Sequence, residues 1–181
     1  MIPLSIKYGG SRMGRVFSRL LVVATVLCSV ELPGIAWALD EGQVAPDWRL
    51  ETLGGEELNF YSDSGQNLSI VLFWATWCPY CRSLMPHIQE LAEEFDELPL
   101  SIYALNVWED GDPKKYFDEN DFNFKLLLRA DLVAEDYGVR GTPGLFLIDR
   151  KRQVLYKRKS GEDDVELKTR LKKQIEMHIS Q

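Results

Sequence analysis

Two cysteines three positions apart give the clearest indication of chemistry in this chain. Cys78 and Cys81 follow the apolar run 68–75 and begin a stretch with helical periodicity. Cysteines at this spacing across the first turn of a helix reach disulfide geometry, so the pair can close and reopen without rebuilding the chain. The unpaired N–H groups at a helix start favour a thiolate on Cys78, which we expect at the protein surface, whereas Cys81 lies one turn deeper and is more protected. The pair therefore predicts a site of thiol–disulfide exchange.

The first 38 residues have the pattern of an export signal. Basic residues precede an apolar stretch from Leu20 to Val30, and Ala36-Trp37-Ala38 provides a cleavage site after Ala38. The apolar stretch is well short of the roughly 20 residues that cross a bilayer. We therefore expect a cleaved signal peptide over residues 1–38 and one periplasmic domain over residues 39–181. The alternative is a domain that an uncleaved signal anchors to the membrane.

Charge and cysteine content narrow the function of the processed chain. The full chain has a formal net charge of −7, and removing a signal of net charge +3 leaves −10. This acidity argues against nucleic acid and anionic membrane surfaces as partners. Cys28 lies inside the predicted signal, so Cys78 and Cys81 are the cysteines that remain. An exported protein with this one pair uses it for exchange or for a small structural loop.

The order of elements around the cysteines predicts an α/β domain. Residues 68–75 are apolar on both faces, which is typical of the central strand of a covered sheet. The whole order implies a mixed sheet with helices on both faces. In chain order the patterns predict a hairpin at 48–60, a polar loop at 62–67, the strand at 68–75, a helix from 78 to about 98, a strand at 100–107, a helix at 112–120, a brief strand at 124–128, a helix at 131–137, a hairpin at 145–156 and a final helix that begins at 163 or 164.

The strand, the cysteine pair, the helix with Pro86 and the later Gly141-Thr142-Pro143 before a hairpin together resemble the thioredoxin fold. Within that superfamily the chain is similar to the exported TlpA-like disulfide reductases. The resemblance covers nearly all of residues 43–179, and it implies a thioredoxin core with an N-terminal β-hairpin and a central βα insertion. The matching segments are the export signal, the hairpin, residues 73–78, Pro86, the added segment 108–128, residues 137–143 and residues 146–149.

The resemblance also implies how the site works. Pro143 follows a cis peptide bond and lies against the dithiol, and a client chain adds in extended form beside residues 141–143. Cys78 attacks the client disulfide, and Cys81 resolves the mixed disulfide. No metal or cofactor is expected. The residues expected to support the dithiol or to contact the client are Trp77, Pro79, Tyr80, Thr142 and Pro143.

Two positions near the dithiol depart from the pattern of this superfamily. Leu72 stands where cytoplasmic thioredoxins have a buried aspartate, and Leu84 stands where many TlpA-like reductases have a glutamate. An apolar surround disfavours the Cys81 thiolate and leaves it without an obvious proton acceptor, so water or a client group is expected to serve. The dipeptide Pro79-Tyr80 is similar to that of glutaredoxins. These departures count against a dedicated role in cytochrome c maturation, but not against exchange chemistry.

The sequence as a whole predicts an exported, monomeric protein-disulfide reductase that a membrane electron donor recharges. The resemblance suggests apo-cytochrome c or copper-site proteins as clients. The alternatives are an oxidant of periplasmic thiols, a redox-inactive binding or chaperone module, a glutathione-linked enzyme and a peroxidase. A structural zinc site is disfavoured because it needs four ligands, and beside the two cysteines the processed chain offers only the distant His87 and His178.

Overall fold

The computed structural model describes residues 38–179, so the predicted signal peptide lies outside the described residues except for Ala38. Within this range no helix has both the length and the apolar character that a membrane span requires. The elements, in chain order, are β1 (Arg49–Glu51), β2 (Glu57–Asn59), α1 (Phe60–Ser64), β3 (Leu68–Trp74), α2 (Pro79–Glu94), β4 (Leu100–Asn106), α3 (Pro113–Glu119), β5 (Lys125–Leu127), α4 (Asp131–Asp136), β6 (Gly144–Ile148), β7 (Val154–Lys157) and α5 (Asp164–Ile179).

Five of these strands form one mixed sheet in the order β5-β4-β3-β6-β7, with β3 at its centre. β3 pairs in parallel with β4 and antiparallel with β6, while β5 and β7 extend the sheet on either side. Every residue of β3 is buried. This explains why its sequence lacks the alternation of a half-exposed strand. The prediction of a mixed sheet with a covered central strand is confirmed.

Alternate residues of β3 contribute to two hydrophobic cores, one on each face of the sheet. Ile70 and Leu72 pack in the core that contains the buried faces of α2 and α5. Val71 and Phe73 pack in the core that contains α4 and the segment before β1. In α2 the buried residues recur at helical spacing, and Cys81 is the first of them. The packing of α2 therefore fixes where the cysteine pair lies relative to the sheet.

One element differs from the prediction. Residues 62–67 were expected to form a polar loop, and Phe60 to continue the hairpin, but residues 60–64 form α1. The side chain of Asn59 caps this helix by accepting a hydrogen bond from the Ser62 N–H at 3.0 Å. Phe60 is fully buried and stacks on Trp48 with ring centroids 5.0 Å apart. The cap and this single buried ring explain a short helix in a polar sequence.

The N-terminal hairpin and the central insertion follow the predicted order. β1 and β2 pair antiparallel as a separate two-stranded sheet. Asp112 caps α3 by accepting a hydrogen bond from the Lys115 N–H at 2.9 Å, and β5 joins the sheet in parallel beside β4. The added segment 108–128 thus contributes one helix, α3, and one strand, β5, to the core fold.

Candidate active site

The cysteine pair lies where the carboxyl end of β3 passes into α2. Cys78 is the N-cap of the helix, and its sulfur accepts a hydrogen bond from the Cys81 N–H at 3.2 Å. Pro79 is the first helical residue, a position where a missing N–H removes no helical hydrogen bond. The Cα atoms of the two cysteines are 5.3 Å apart, and the pair is joined as a disulfide. The local structure therefore has the geometry that the spacing predicted.

The exposure of the two cysteines corrects one expectation. Cys78 was expected at the surface, but only 2% of it is exposed, against 0% for Cys81. The reason is that the Cys78 sulfur turns inward onto the first helical turn, where it accepts the Cys81 N–H. The exposed side chains next to the pair are Trp77, at 45%, and Tyr80, at 70%. These two aromatic residues, together with the exposed Pro79, present more surface next to the pair than the sulfurs do.

The loop of residues 141–143, called the proline loop, lies beside α2. The peptide bond between Thr142 and Pro143 is cis. Gly144, the first residue of β6, pairs with Phe73 near the end of β3. Because β3 and β6 are antiparallel neighbours, the end of β3 and the start of β6 lie at the same edge of the sheet. Tyr80 from α2 lines one cavity of about 470 Å³ together with Thr142 and Pro143.

Glu109, a carboxylate that no motif in the sequence indicated, lies in the loop after β4. Burial alone raises the pKa of Glu109, but hydrogen bonds outweigh this effect and hold that pKa below its ordinary value. Glu109 is therefore ionised at neutral pH and binds a proton more weakly than an ordinary glutamate does. Its two oxygens accept five hydrogen bonds, from the Thr76 N–H at 2.9 Å, the Thr76 hydroxyl, the Asn106 amide, the Asp110 N–H at 3.1 Å and the Gly111 N–H at 2.8 Å.

The contacts of Glu109 fix the segment that leads into the dithiol. Thr76, two residues before Cys78, is held at its N–H and hydroxyl by Glu109, and its carbonyl accepts from Arg82 Nε at 2.9 Å. The Trp77 indole N–H donates to the Trp108 carbonyl at 2.7 Å. Polar contacts to the loop after β4 and to the first turn of α2 therefore set where Trp77 lies.

A signal for this contact was present in the sequence. β3 and β4 were both predicted, and the carboxyl ends of adjacent parallel strands meet at one edge of a sheet. In the structure Trp74 is in register with Asn106. β3 and β4 therefore end side by side, and the loop that contains Glu109 begins next to the segment 75–78. The sequence alone does not show that β3 and β4 are neighbours, and for that reason this contact was not predicted.

The positions that depart from the superfamily pattern are apolar in three dimensions as well as in sequence. Leu72 and Leu84 are fully buried and belong to the same core as Cys78 and Cys81. Among residues 38–179, no group of three or more His, Cys, Asp or Glu side chains is arranged as metal ligands. His87 lies on α2 with Nδ1 3.7 Å from a Glu90 oxygen.

The fold and the cysteine pair together define a thiol–disulfide oxidoreductase with a thioredoxin fold. The model of the AhpC/TSA family matches residues 42–157. The chain belongs to this family of thioredoxin-fold proteins.

Individual relatives agree with this assignment. The chain is 30% identical over 145 residues to the thioredoxin-like protein YneN of Bacillus subtilis, covering 78% of this chain and 79% of the relative. It is 36% identical over 124 residues to the thiol-disulfide oxidoreductase ResA of Geobacillus thermodenitrificans, covering 65% and 68%. A crystal structure of a candidate thiol:disulfide interchange protein DsbE from Chlorobium tepidum matches with a TM-score of 0.69 and 29% identity, over 78% of this chain and 99% of that one.

Proposed function

We propose that this protein reduces disulfides of exported client proteins with a dithiol formed by Cys78 and Cys81. The observation that supports the proposal is the closed pair at the first turn of α2, next to the cis-proline loop. The Cys78 thiolate attacks one sulfur of the client disulfide, so that the client S–S bond breaks and one client thiolate leaves. Cys81 then gives up its proton and attacks the Cys78 sulfur, which forms the internal disulfide and releases the second client thiolate. Two electrons pass from the protein dithiol to the client.

The different surroundings of the two sulfurs support this division of roles. The backbone N–H at the start of α2 points to the Cys78 sulfur at 3.2 Å, and such a donor stabilises a thiolate. Exposure does not separate the two sulfurs, because both cysteines are almost fully buried. Cys81 lies one turn further into α2, on the face that packs in the core, where its thiol is placed to attack the Cys78 sulfur. Cys78 is thus the attacking residue and Cys81 the resolving residue.

The client approaches between the proline loop and the exposed aromatic residues. Its chain lies extended beside residues 141–143, where backbone hydrogen bonds align its disulfide with Cys78. Trp77 and Tyr80 flank this path and contact client side chains, because both are exposed and amphipathic. Pro79 fixes the first turn of the helix between them.

The predicted export signal supports a periplasmic location for the reaction, whereas its direction depends on the reduction potential of the dithiol. A protein cleaved after Ala38 acts as a monomeric domain of residues 39–181 in the periplasm, which is an oxidising space. A reductase there needs a membrane electron donor to restore its dithiol. Clients of this class include apo-cytochrome c and copper-site proteins. Equilibration of the protein with a glutathione or dithiothreitol series tests the direction, because about −270 mV is typical of a reductant and about −120 mV of an oxidant.

A trapping experiment tests the roles of the two cysteines. In Cys81→Ser the resolving thiol is absent, so mixed disulfides between Cys78 and clients should accumulate and should disappear on addition of dithiothreitol. Cys78→Ser is the matched control and should trap no client. A Cys81→Ser variant that forms no mixed disulfide contradicts the exchange mechanism. A binding or chaperone module, by contrast, keeps its function in the double Cys78→Ser, Cys81→Ser variant.

A further inference from the structure

A cationic cavity adjoins the proline loop. It has a volume of about 310 Å³ and is lined by residues 138–146 together with Lys157, Arg158 and Ser160. Its lining includes three cationic residues, among them Arg140, whereas none of its lining residues, all within the described range, is Asp or Glu. The whole chain has a formal net charge of −7. A concave cationic site on an acidic protein attracts small anions locally and is not explained by the overall charge.

A second cavity shares part of its lining with the first. Thr142, Pro143, Arg158 and Ser160 line both the first cavity and the 470 Å³ cavity that includes Tyr80. Tyr80 lies between the two cysteines in the chain, so the shared lining brings the cationic residues to the side of the fold where the dithiol lies. Thr142 Oγ1 and Arg158 Nε have no hydrogen-bond partner among the described residues, but both are buried away from the cavity. Attraction for a ligand therefore comes from the charges of the lining residues.

The remaining atoms of the Arg158 guanidinium hold the proline loop in place. One terminal nitrogen lies 3.5 Å from the Pro143 carbonyl, and the other donates to the Glu162 carbonyl at 3.2 Å. A carboxylate oxygen of Asp164 lies 3.8 Å from the second nitrogen. Arg158 therefore has a fixed position next to Pro143.

The acidic groups near the two cavities are occupied by other contacts. In the second cavity the Asp163 carboxylate accepts the N–H groups of Val165 and Glu166, each at 3.0 Å, and the Glu162 carboxylate accepts the Tyr156 hydroxyl. On the first cavity, Lys157 has an Asp40 oxygen 3.8 Å away, and the Asp40 side chain is largely exposed. The combined lining is thus positively charged near residues 138–146 and negatively charged at residues 162–164.

We propose that this cavity binds a carboxylate group carried by the disulfide substrate. The inference rests on the proposed exchange function and adds the class of substrate. The charges of Arg140, Lys157 and Arg158 attract a carboxylate into the cavity, whose lining contains no acidic residue. The group comes either from an acidic side chain beside the client cysteine or from a small peptide thiol such as glutathione.

The test compares matched substrates with the carboxylates free and blocked. The reduced protein is mixed with glutathione disulfide or its ethyl ester, and with peptide disulfides that carry Glu or Gln beside the cysteine. We expect the free acid to react about 5-fold faster than the neutral form in at least one pair, the size of an attraction between partly solvent-exposed charges. The pair that has this preference identifies the source of the carboxylate. The preference should weaken as salt is raised from about 0.05 M to 0.5 M.

Arginine variants connect this preference to the cavity. Arg158→Gln and Arg140→Gln should each lower the ratio of acid to neutral rates, and Arg140 is exposed, so its replacement does not threaten folding. Arg150→Gln is the matched control, because Arg150 lies in the turn between β6 and β7 and should keep the wild-type ratio. Equal rates for acid and neutral forms in the wild type, or a preference that both cavity variants keep, overturn the inference. If even the neutral disulfides fail to oxidise the dithiol, the exchange function itself is wrong.

Discussion

The contacts of Glu109 lead to a quantitative prediction. In Glu109→Gln the side chain keeps its size but loses its charge, and one carboxylate oxygen becomes an amide NH₂. Whichever oxygen is replaced, at least two donors that now point at it lose their acceptor and face another donor. A hydrogen bond to a charged group contributes about 1.5–3 kcal/mol. Since Glu109 is half-buried and water replaces part of the loss, we expect the free energy of unfolding to fall by about 2–4 kcal/mol.

The pH dependence of this loss has a definite sign. The pKa of Glu109 is lowered in the folded state, while the unfolded chain has the ordinary value of about 4.3. A carboxylate with a lowered pKa stabilises the fold above the unfolded pKa and stops doing so as the pH falls through the folded pKa. The difference in unfolding free energy between wild type and Glu109→Gln should therefore be constant from about pH 5.5 to 8 and shrink below about pH 4.3.

Urea unfolding of the oxidised protein, followed by far-UV circular dichroism, measures both quantities. Asp110→Asn is the matched control, because this neighbouring residue is exposed, and it should change the unfolding free energy by no more than about 0.5 kcal/mol. If Glu109→Gln costs no more than this control at pH 7, the five hydrogen bonds do not stabilise the segment before Cys78 and the reasoning is refuted. A loss that persists unchanged at pH 3 would mean that the charge is not responsible.

Three further predictions concern the same region and the end of the chain. Glu109→Gln should make the reduction potential less negative, because removing a negative charge near Cys78 favours the thiolate form; equilibration with glutathione measures the shift, and an unchanged or more negative value contradicts it. Trp77→Ala should slow client reduction by about 10-fold while small neutral disulfides react at nearly the wild-type rate, because the exposed ring contacts only large substrates; equal slowing of both in stopped-flow assays would contradict a docking role. Asp163→Ala should lower the unfolding free energy by about 1 kcal/mol through loss of the α5 cap, as urea unfolding would reveal, and no loss would mean that the cap does not stabilise the helix.

The elements that the sequence predicted correctly are those whose signal is local. β3 is apolar at nearly every position, and the pattern of α2 begins at the cysteines themselves, so a short window contains the whole argument. α1 escaped prediction because its stability depends on a distant partner. Its anchor, Phe60, stacks on Trp48, which is 12 positions earlier in the chain, and a window over residues 60–64 reads as polar.

The candidate site divides in the same way. Cys78 and Cys81 belong to one short motif and Pro143 to another, and the resemblance to the thioredoxin fold connects the two motifs. Glu109 carries no motif, and its link to Thr76 spans 33 positions in the chain. Arg158 likewise follows an ordinary strand, β7, and acquires a role only because that strand pairs with β6, at whose start the proline loop lies. Side chains that act through a neighbouring strand cannot be found without the pairing of the strands.

The topology explains why these particular loops meet at the dithiol. β3 and β4 run in parallel, so the segments after them, residues 75–78 and 107–111, leave the sheet at the same edge. β6 runs antiparallel to β3, so the residues before it, 141–143, reach that edge too. If β6 were parallel, its preceding loop would lie at the opposite edge and no proline could approach the cysteines. Because these loops lie outside the buried sheet, substitutions at exposed positions of residues 107–111 or 157–160, unlike those of Glu109 and Arg158, should change client preference before they change the fold.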